Sequence, residues 1–249
     1  MKLIVRILSV ALLVLSSVNF ARAQATATPA AGEKPAASPA AAARPDVYHI
    51  HFTKAVPGKA AQLADFLKSP EPKPIIPDHR LVLRHQQGDS WDYVVIQHYG
   101  TKATVEPAGR LTPPAMRDLS EWHNDTFVNG PAWSEFARAM GISDESKSKS
   151  AGSIYIVSVA RAAPGHRDQL EKNLGAPPVA GVDTAVGNVL MQHLEGSPWQ
   201  FLTIARYNSW QDFATTETNQ AAQKERTGWL EFREHLALHT DTITDRIAP

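Results

Sequence analysis

Residues 47–67 read VYHIHFTKAVPGKAAQLADFL, and residues 154–174 read IYIVSVARAAPGHRDQLEKNL. When one stretch is laid over the other, identical residues fall in the same order at Tyr48/Tyr155, Pro57-Gly58/Pro164-Gly165 and Gln62-Leu63/Gln169-Leu170. Similarity at a long, fixed period is the sequence signature of an internal repeat. The chain therefore carries one module twice.

The repeat continues beyond this first stretch. After a one-residue shift, further identities appear at His85/His193, Gly88/Gly196, Trp91/Trp199, Ile96/Ile204 and Tyr99/Tyr207. Still later, Arg117, His123, Asp125 and Thr126 align with Arg233, His239, Asp241 and Thr242. Because the order is kept throughout, we interpret residues 46–142 and 153–249 as two homologous modules joined by a polar linker at 143–152.

Each module is predicted to contain strands, a hairpin and helices. Alternating apolar and polar residues from Tyr48 to Thr53 indicate a strand with two unlike faces, and the Pro-Gly pair that follows ends it. Two apolar runs joined by a short turn at 87–90 indicate a hairpin. Helices are predicted at 114–125 and 132–140 in the first module, and at 210–224 and 229–247 in the second.

This element order matches the ferredoxin-like split-βαβ module. A four-stranded sheet with helices on one face leaves its other face bare, and two copies can cover each other. We therefore predict an α+β fold, in which two tandem ferredoxin-like modules pack their antiparallel sheets face to face as an intrachain α/β barrel. A fourth strand is not evident in either module, because SEFARAM and DTITDRI both favour helix.

The duplicated order of strand, Pro-Gly turn, helix and strand hairpin resembles the dimeric α/β-barrel superfamily. That group includes stress-responsive barrel proteins, antibiotic-biosynthesis monooxygenases, NIPSNAP-like proteins and two-repeat chlorite dismutases. The resemblance covers about residues 46–249 and rests on element order, since the motif of no single member is present. It implies an oxidoreductase or monooxygenase activity that is either haem-dependent or cofactor-free. His235 and His239, four residues apart on the predicted last helix, would be candidate haem ligands.

The first 45 residues do not look like part of a folded core. Lys2 and Arg6 precede an apolar run, and Ala21-Arg22-Ala23 provides the small residues of a cleavage site, so residues 1–23 are predicted to be a signal peptide. Residues 24–45 are rich in Ala and Pro and have no large apolar side chain, which predicts a disordered tether. We therefore expect a periplasmic or secreted protein with no membrane span after cleavage.

Composition excludes several function classes. The 25 basic and 25 acidic residues balance, and three of the basic ones lie in the leader, so the mature chain is slightly acidic. With no basic run, nucleic acid is a poor candidate partner. The chain contains no Cys, which excludes disulfides, thiolate nucleophiles and Cys-based metal sites. Glycine-rich phosphate loops and G-x-S-x-G elbows are also absent from the sequence.

The sequence H-x-D-T occurs in both modules, at residues 123–126 and 239–242. An Asp two residues from a His can orient the imidazole and raise its pKa. The same pair can equally serve as a structural cap for the last helix of each module. If the pair is catalytic, the candidate residues are His123, Asp125, His239 and Asp241.

Other recurring or clustered side chains are candidates for ligand binding. Histidines in strands and aromatic residues near the hairpins could pack in the core, or they could line a pocket for a flat apolar molecule. These residues are His49, His51, His85, His98, His193, Trp91, Trp199, Tyr99 and Tyr207. Three of them, His49, His51 and His98, could together bind a transition metal or act as acid and base, although no carboxylate on a matching strand completes a ligand set. We therefore predict no metal site.

Two function classes remain open. The first is a protein that binds a small apolar or aromatic molecule between its sheets. The second is a haem-dependent or cofactor-free oxidoreductase that uses the His/Asp pairs. The sequence leaves the cofactor unknown, and because both modules lie in one chain, either a monomer or a homodimer is expected.

Overall fold

The computed structural model describes residues 43–69, 79–101, 114–144, 150–223 and 227–248. The predicted signal peptide and most of the predicted tether lie outside these ranges, as does the middle of the predicted linker. Within the described part of the chain, no helix is both long and apolar enough to cross a membrane.

The described part of the first half contains four strands and three helices. In chain order these are β1 (Asp46–Ala55), α1 (Ala60–Lys68), β2 (Arg80–Gln87), β3 (Tyr93–Thr101), α2 (Pro114–Arg117), β4 (Ser120–Gly130) and α3 (Trp133–Ala139). The second half repeats the pattern. Its elements are β5 (Ile154–Ala162), α4 (Arg167–Leu174), β6 (Gly187–Glu195), β7 (Phe201–Tyr207), α5 (Trp210–Ala222), α6 (Thr227–Glu234) and β8 (Leu236–Ala248).

The eight strands form one closed barrel in the order β1-β3-β2-β8-β5-β7-β6-β4. Within each half the order is that of a ferredoxin-like sheet, and every pairing is antiparallel. The halves join along two edges, where β2 pairs with β8 and β4 pairs with β6. The predicted α+β class and intrachain barrel are therefore confirmed.

The barrel interior is filled by alternate residues from both halves. Tyr48, Ile50 and Phe52 of β1 face inward and share one apolar cluster with Tyr155 and Val157 of β5. Fully burying an apolar side chain of this size contributes about 1.5–3 kcal/mol relative to leaving it exposed. The opposite face of β1, at His49, His51 and Thr53, therefore lies on the outside of the barrel, where α1 packs on the sheet.

Helix α3 packs on the interior cluster beside the start of β1. Phe136 and Met140 are fully buried in that cluster, with the ring of Phe136 5.1 Å from the ring of Tyr48. The Tyr48 hydroxyl donates to the carbonyl of Pro131 at 2.8 Å, and the Tyr155 hydroxyl donates to the carbonyl of Met140 at 2.9 Å. These bonds satisfy the buried phenols and fix α3 on the barrel.

Two helix predictions are wrong, and so is the expectation that a fourth strand is missing. Helix α2 ends at Arg117 and β4 begins at Ser120, where the sequence predicted a helix through residue 125. Helix α6 ends at Glu234 and β8 follows, so DTITDRI is a strand. The strand at DTITDRI was missed because threonines, and not large apolar residues, occupy buried positions of β8. Thr242 is 2% exposed and Thr244 is 0% exposed. SEFARAM is confirmed as part of a helix, α3.

Candidate functional site

A pocket of about 230 Å³ opens between the two sheets at the end of the barrel that carries the hairpin turns. Its walls include four aromatic side chains, Phe52, Trp91, Trp122 and Trp199. Polar groups at its rim and walls come from Asp89, Asn124, Ser197, Thr240 and Thr242. Trp91 and Trp199 occupy equivalent positions in the two halves, so the pocket lies between the repeats.

Two predicted ligand-binding histidines lie next to this pocket. The His85 ring stands 5.7 Å from Trp91, and the His193 ring stands 4.9 Å from Trp199. Nε2 of His193 accepts a hydrogen bond from the backbone N–H of Ser197 at 3.0 Å. Nε2 of His85 is buried and has no hydrogen-bond partner among the described residues.

A second group of side chains lies on the outer face of β1 and β4 in the first half. Three histidines surround the carboxylate of Asp125. His51 Nδ1 lies 2.7 Å and His49 Nε2 lies 2.9 Å from Oδ1, while His123 Nε2 lies 3.4 Å from Oδ2. We call His49, His51, His123 and Asp125 the Asp125 cluster.

Burial and hydrogen bonding determine the protonation states of Asp125 and His51 in the Asp125 cluster. Burial would raise the pKa of Asp125, but hydrogen bonds from His49 and His51 outweigh it and hold that pKa well below its usual range. Burial lowers the pKa of His51 below its ordinary value, and the hydrogen bond to Asp125 offsets only part of that effect. At neutral pH, Asp125 is therefore a carboxylate and His51 a neutral imidazole.

Aromatic rings flank the Asp125 cluster. The ring of His49 stacks on Tyr99 with centroids 5.6 Å apart and also lies 5.1 Å from the ring of Phe127. The rings of His51 and His123 lie 5.4 Å apart. A carboxylate, three imidazoles and two aromatic side chains therefore line one patch of the outer surface, a combination suited to proton transfer with a ring-shaped molecule.

The second half has a reduced version of this arrangement on β5 and β8. His239 Nε2 lies 3.1 Å from Asp241 Oδ1, and the Ser158 hydroxyl donates to the same oxygen at 2.5 Å. Burial would raise the pKa of Asp241, but the hydrogen bonds from His239 and Ser158 outweigh it and lower that pKa. Burial, followed by the charge of Asp183, raises the pKa of nearby Tyr207 to about 12.

Comparisons with known proteins bear on the fold. No protein-family model matches the chain, and no curated protein matches its sequence. Among solved structures, an anthrone oxidase-like protein is 14% identical with a TM-score of 0.57, over 83% of this chain and 93% of its own. A protein from Fusobacterium nucleatum proposed to be a monooxygenase is 9% identical with a TM-score of 0.52, over 82% and 93%. Both neighbours have the architecture that the repeat predicted.

The chain has the dimeric α/β-barrel fold. At these identities the likeness describes the fold alone. In this dimeric α/β barrel, the part that a second subunit would supply comes from the second half of the same chain, through the β2–β8 and β4–β6 pairings.

The barrel separates some residues that the sequence grouped together. His98 points inward, away from His49 and His51, and its Nε2 donates to Asp46 Oδ2 at 2.8 Å. Burial lowers the pKa of His98, and Asp46 offsets only part of that effect. The predicted group of three imidazoles from His49, His51 and His98 is therefore wrong, because alternate strand positions face opposite sides of the sheet.

The predicted pairing of His235 and His239 on one helix is also wrong. His235 lies between α6 and β8 and contacts His166, with 2.7 Å between their Nδ1 atoms, whereas His239 lies on β8. The two imidazoles therefore do not lie on one helix facing one ligand, and a haem-ligand role for either of them stays a prediction of the resemblance. Among the described residues, no group of three or more His, Asp and Glu side chains is arranged to hold a metal ion.

Sequence reasoning missed three parts of these sites. Trp122 was assigned to a helix but lies in the pocket wall, and Asn124 lies beside it. Asp125 is the carboxylate that the sequence could not place near His51, yet the two residues are direct cross-strand partners in β1 and β4. No clear signal in the sequence marks them, because the inward positions of β4 include polar Asn124 and Thr126, and the alternation of inward and outward positions is visible only in the burial of the strand.

Proposed function

We propose that this barrel binds a small apolar or aromatic molecule between its two sheets, in the pocket of about 230 Å³. The observation that carries the proposal is the set of three tryptophans and one phenylalanine that converge on this pocket from both halves. Sites for small molecules are typically concave and lined by aromatic groups, with a few polar groups that fix orientation.

The size of the pocket limits its ligand. An apolar cavity of roughly 150 Å³ is enough to hold benzene. A pocket of about 230 Å³ that opens to solvent therefore suits a molecule with one or two rings. Asn124, Thr240 and Thr242 offer hydrogen bonds to one polar substituent of such a ligand.

Naphthalene titrated into the mature protein tests this proposal through intrinsic tryptophan fluorescence and calorimetry. We expect saturable binding that Trp122→Leu weakens by tenfold or more, since this partly exposed ring forms a wall of the pocket. Trp210→Leu is the matched control, because Trp210 is 51% exposed on α5 and does not line the pocket. Equal affinities of the two variants for naphthalene would contradict the proposal.

Export to the periplasm or the medium is part of the same proposal and rests on the leader sequence. The charged start, the apolar run and Ala21-Arg22-Ala23 support cleavage after residue 23. N-terminal sequencing of the protein from a secreting host should give Gln24 as the first residue. A chain that retains Met1 in the cell pellet would count against export.

A second candidate function is an oxidoreductase of the kind named for the anthrone oxidase-like neighbour. The observation that favours it is the Asp125 cluster, in which an ionised carboxylate orients imidazoles beside aromatic rings. Such a group can remove a proton from an acidic aromatic substrate before oxidation. The pair of His239 and Asp241 is its counterpart in the second half.

Oxygen uptake with anthrone as substrate, measured with and without added haem, tests this second candidate. Asp125→Asn should reduce uptake by tenfold or more, while Asp118→Asn, an exposed acid outside the cluster, should not. A Soret band that appears with haem and is lost in His239→Ala would identify the haem-dependent form. Uptake no faster than in buffer would exclude anthrone oxidation.

A further inference from the structure

One nitrogen of the Asp125 cluster is buried without a partner. Nε2 of His51 makes no hydrogen bond with any described residue, and His51 is 8% exposed. Buried polar atoms are nearly always hydrogen-bonded, so an orphaned one indicates a group that meets a ligand, a water molecule or an ion. Nδ1 of the same ring, by contrast, is held 2.7 Å from Asp125 Oδ1.

The contact with Asp125 fixes the tautomer of His51. An ionised carboxylate can only accept hydrogen bonds, so Nδ1 of His51 carries the hydrogen. Nε2 of the neutral ring then carries a lone pair and can only accept. A carboxylate bound to Nδ1 is also the arrangement that orients a catalytic imidazole and stabilises it once Nε2 is protonated.

The charged and titratable groups that face His51 come from two strands. His49 lies on the same face of β1, and Asp125 and His123 lie on β4. The neighbour across the other edge of β1 is Val95 of β3, which is apolar. His123 is the most exposed of the three histidines, at 36% of its side chain, so a molecule from solvent would approach His51 along this ring.

We propose that Nε2 of His51 accepts a proton from the hydroxyl group of an aromatic ring, so that the first half carries a site for phenols. The O–H bond breaks, its electron pair stays on the oxygen as phenolate, and the proton forms an imidazolium paired with Asp125. The step is reversible and needs no oxidant. The inference deepens the second candidate function by naming a substrate class, but it does not depend on oxidation.

The second half does not provide an equivalent acceptor. Ser158 occupies the position that corresponds to His51, and its hydroxyl already donates to Asp241. Asp241 and Ser158 are cross-strand partners in β8 and β5, as Asp125 and His51 are in β4 and β1. We therefore expect one phenol site in each chain, although the fold is duplicated.

p-Nitrophenol is a suitable probe, because its phenol and phenolate absorb at different wavelengths. With the full mature protein at fixed pH below the probe's own pKa, we expect the bound probe to be ionised to a several-fold greater extent than the free probe. His51→Gln should bring the ionised fraction back to the free value. Ser158→Ala, the matched change in the other half, should behave like the wild-type chain.

Three further measurements separate this role of His51 from a structural one. Asp125→Asn should retain probe binding but lower the ionised fraction, since the imidazolium loses its counter-charge. p-Nitroanisole, which lacks the hydroxyl, should bind at least tenfold more weakly than p-nitrophenol. Circular dichroism and the unfolding midpoint of each variant establish that it is folded.

The inference is overturned if the bound probe titrates alike in the wild-type and His51→Gln chains, or if p-nitroanisole binds as well as p-nitrophenol. It is also overturned if EDTA removes the spectral change, because a metal ion that binds the phenolate oxygen, and not proton transfer to His51, would then account for the ionised probe. Failure of the anthrone assay with an intact p-nitrophenol response would exclude oxidation and leave the phenol site in place.

Discussion

Gly196, in the turn between β6 and β7, packs directly against the backbone of Asp125. A β carbon at Gly196 would stand 2.4 Å from the carbonyl oxygen of Asp125, and the residue has φ of +102°. Gly88 has the same relation to Asp241, again at 2.4 Å. The hairpin turn of each half therefore fits closely against the strand that carries the Asp of the other half.

Replacing Gly196 should destabilise the protein and disturb the Asp125 cluster. Gly196→Ala adds a backbone clash to the strain of a left-handed conformation, which by itself costs roughly 1–2 kcal/mol. Gly58→Ala is the matched control, because Gly58 has φ of +83° but nothing within 4 Å of an added β carbon. Urea unfolding should show a clearly larger loss for Gly196→Ala, and equal losses would contradict the close packing.

Truncation of Phe136 should be among the most damaging changes in the core. The ring is fully buried between α3 and the barrel interior, so Phe136→Ala should cost about 3–5 kcal/mol. Val179→Ala, at a position that is 64% exposed, should change the free energy of unfolding by less than about 0.5 kcal/mol. A loss below about 1 kcal/mol for Phe136→Ala would mean that α3 does not pack on the barrel interior.

Loss of Asp46 should leave two donors without an acceptor. Its Oδ2 accepts from His98 Nε2 at 2.8 Å and from the backbone N–H of Trp133 at 2.9 Å. Because each buried unsatisfied group costs about 1–3 kcal/mol, Asp46→Ala should lower the free energy of unfolding by about 2–6 kcal/mol. Asp144→Ala, at an exposed position, is the control; similar values for both would contradict the assignment.

The free energy of unfolding should fall as the pH is lowered. The Asp125 cluster determines part of the pH range over which it falls. The folded-state pKa of His51 lies below 6.5. From about pH 6.5 downward, His51 therefore binds a proton more readily in the unfolded chain than in the folded chain, which lowers the free energy of unfolding. The folded-state pKa of Asp125 lies below 3.8, so its contribution is present above that pH and is lost on further acidification.

The unfolding midpoint, measured across this pH range, tests the direction of both the His51 and the Asp125 contribution to stability. In His51→Gln the fall of the unfolding midpoint just below pH 6.5 should become smaller. It should not disappear, because the pKa of His98 is also lowered by burial. A midpoint that rises as the pH falls from 6.5 to 5 would mean that His51 gains rather than resists a proton on folding.

The repeat made most of the fold predictable, because Pro57-Gly58 and the hairpin around Gly88 recur in the second half at matching spacings. Strands β4 and β8 could not be identified in the same way. A buried strand is normally recognised by apolar inward positions, but in β8 those positions hold Thr242 and Thr244. The helix prediction there gave too little weight to the β-branched Thr and Ile residues, which favour strands.

The candidate sites were predictable residue by residue but not as groups. The sequence singled out His51 and Asp125 separately, but they lie 74 positions apart and meet only through the register of β1 against β4. A shift of one residue in that register would turn one of the two side chains to the opposite face of the sheet. Spacing along the chain carries no information about such a register.

Strand β8 sits between β2 of the first half and β5 of the second, and it follows every other described strand in the chain. Both neighbours therefore keep one edge open until the 13 residues of β8 are available to pair with them. Open edges are templates for pairing with other chains. Chains truncated before residue 236 should consequently aggregate, and a chaperone that shields β2 and β5 would aid folding of the full chain.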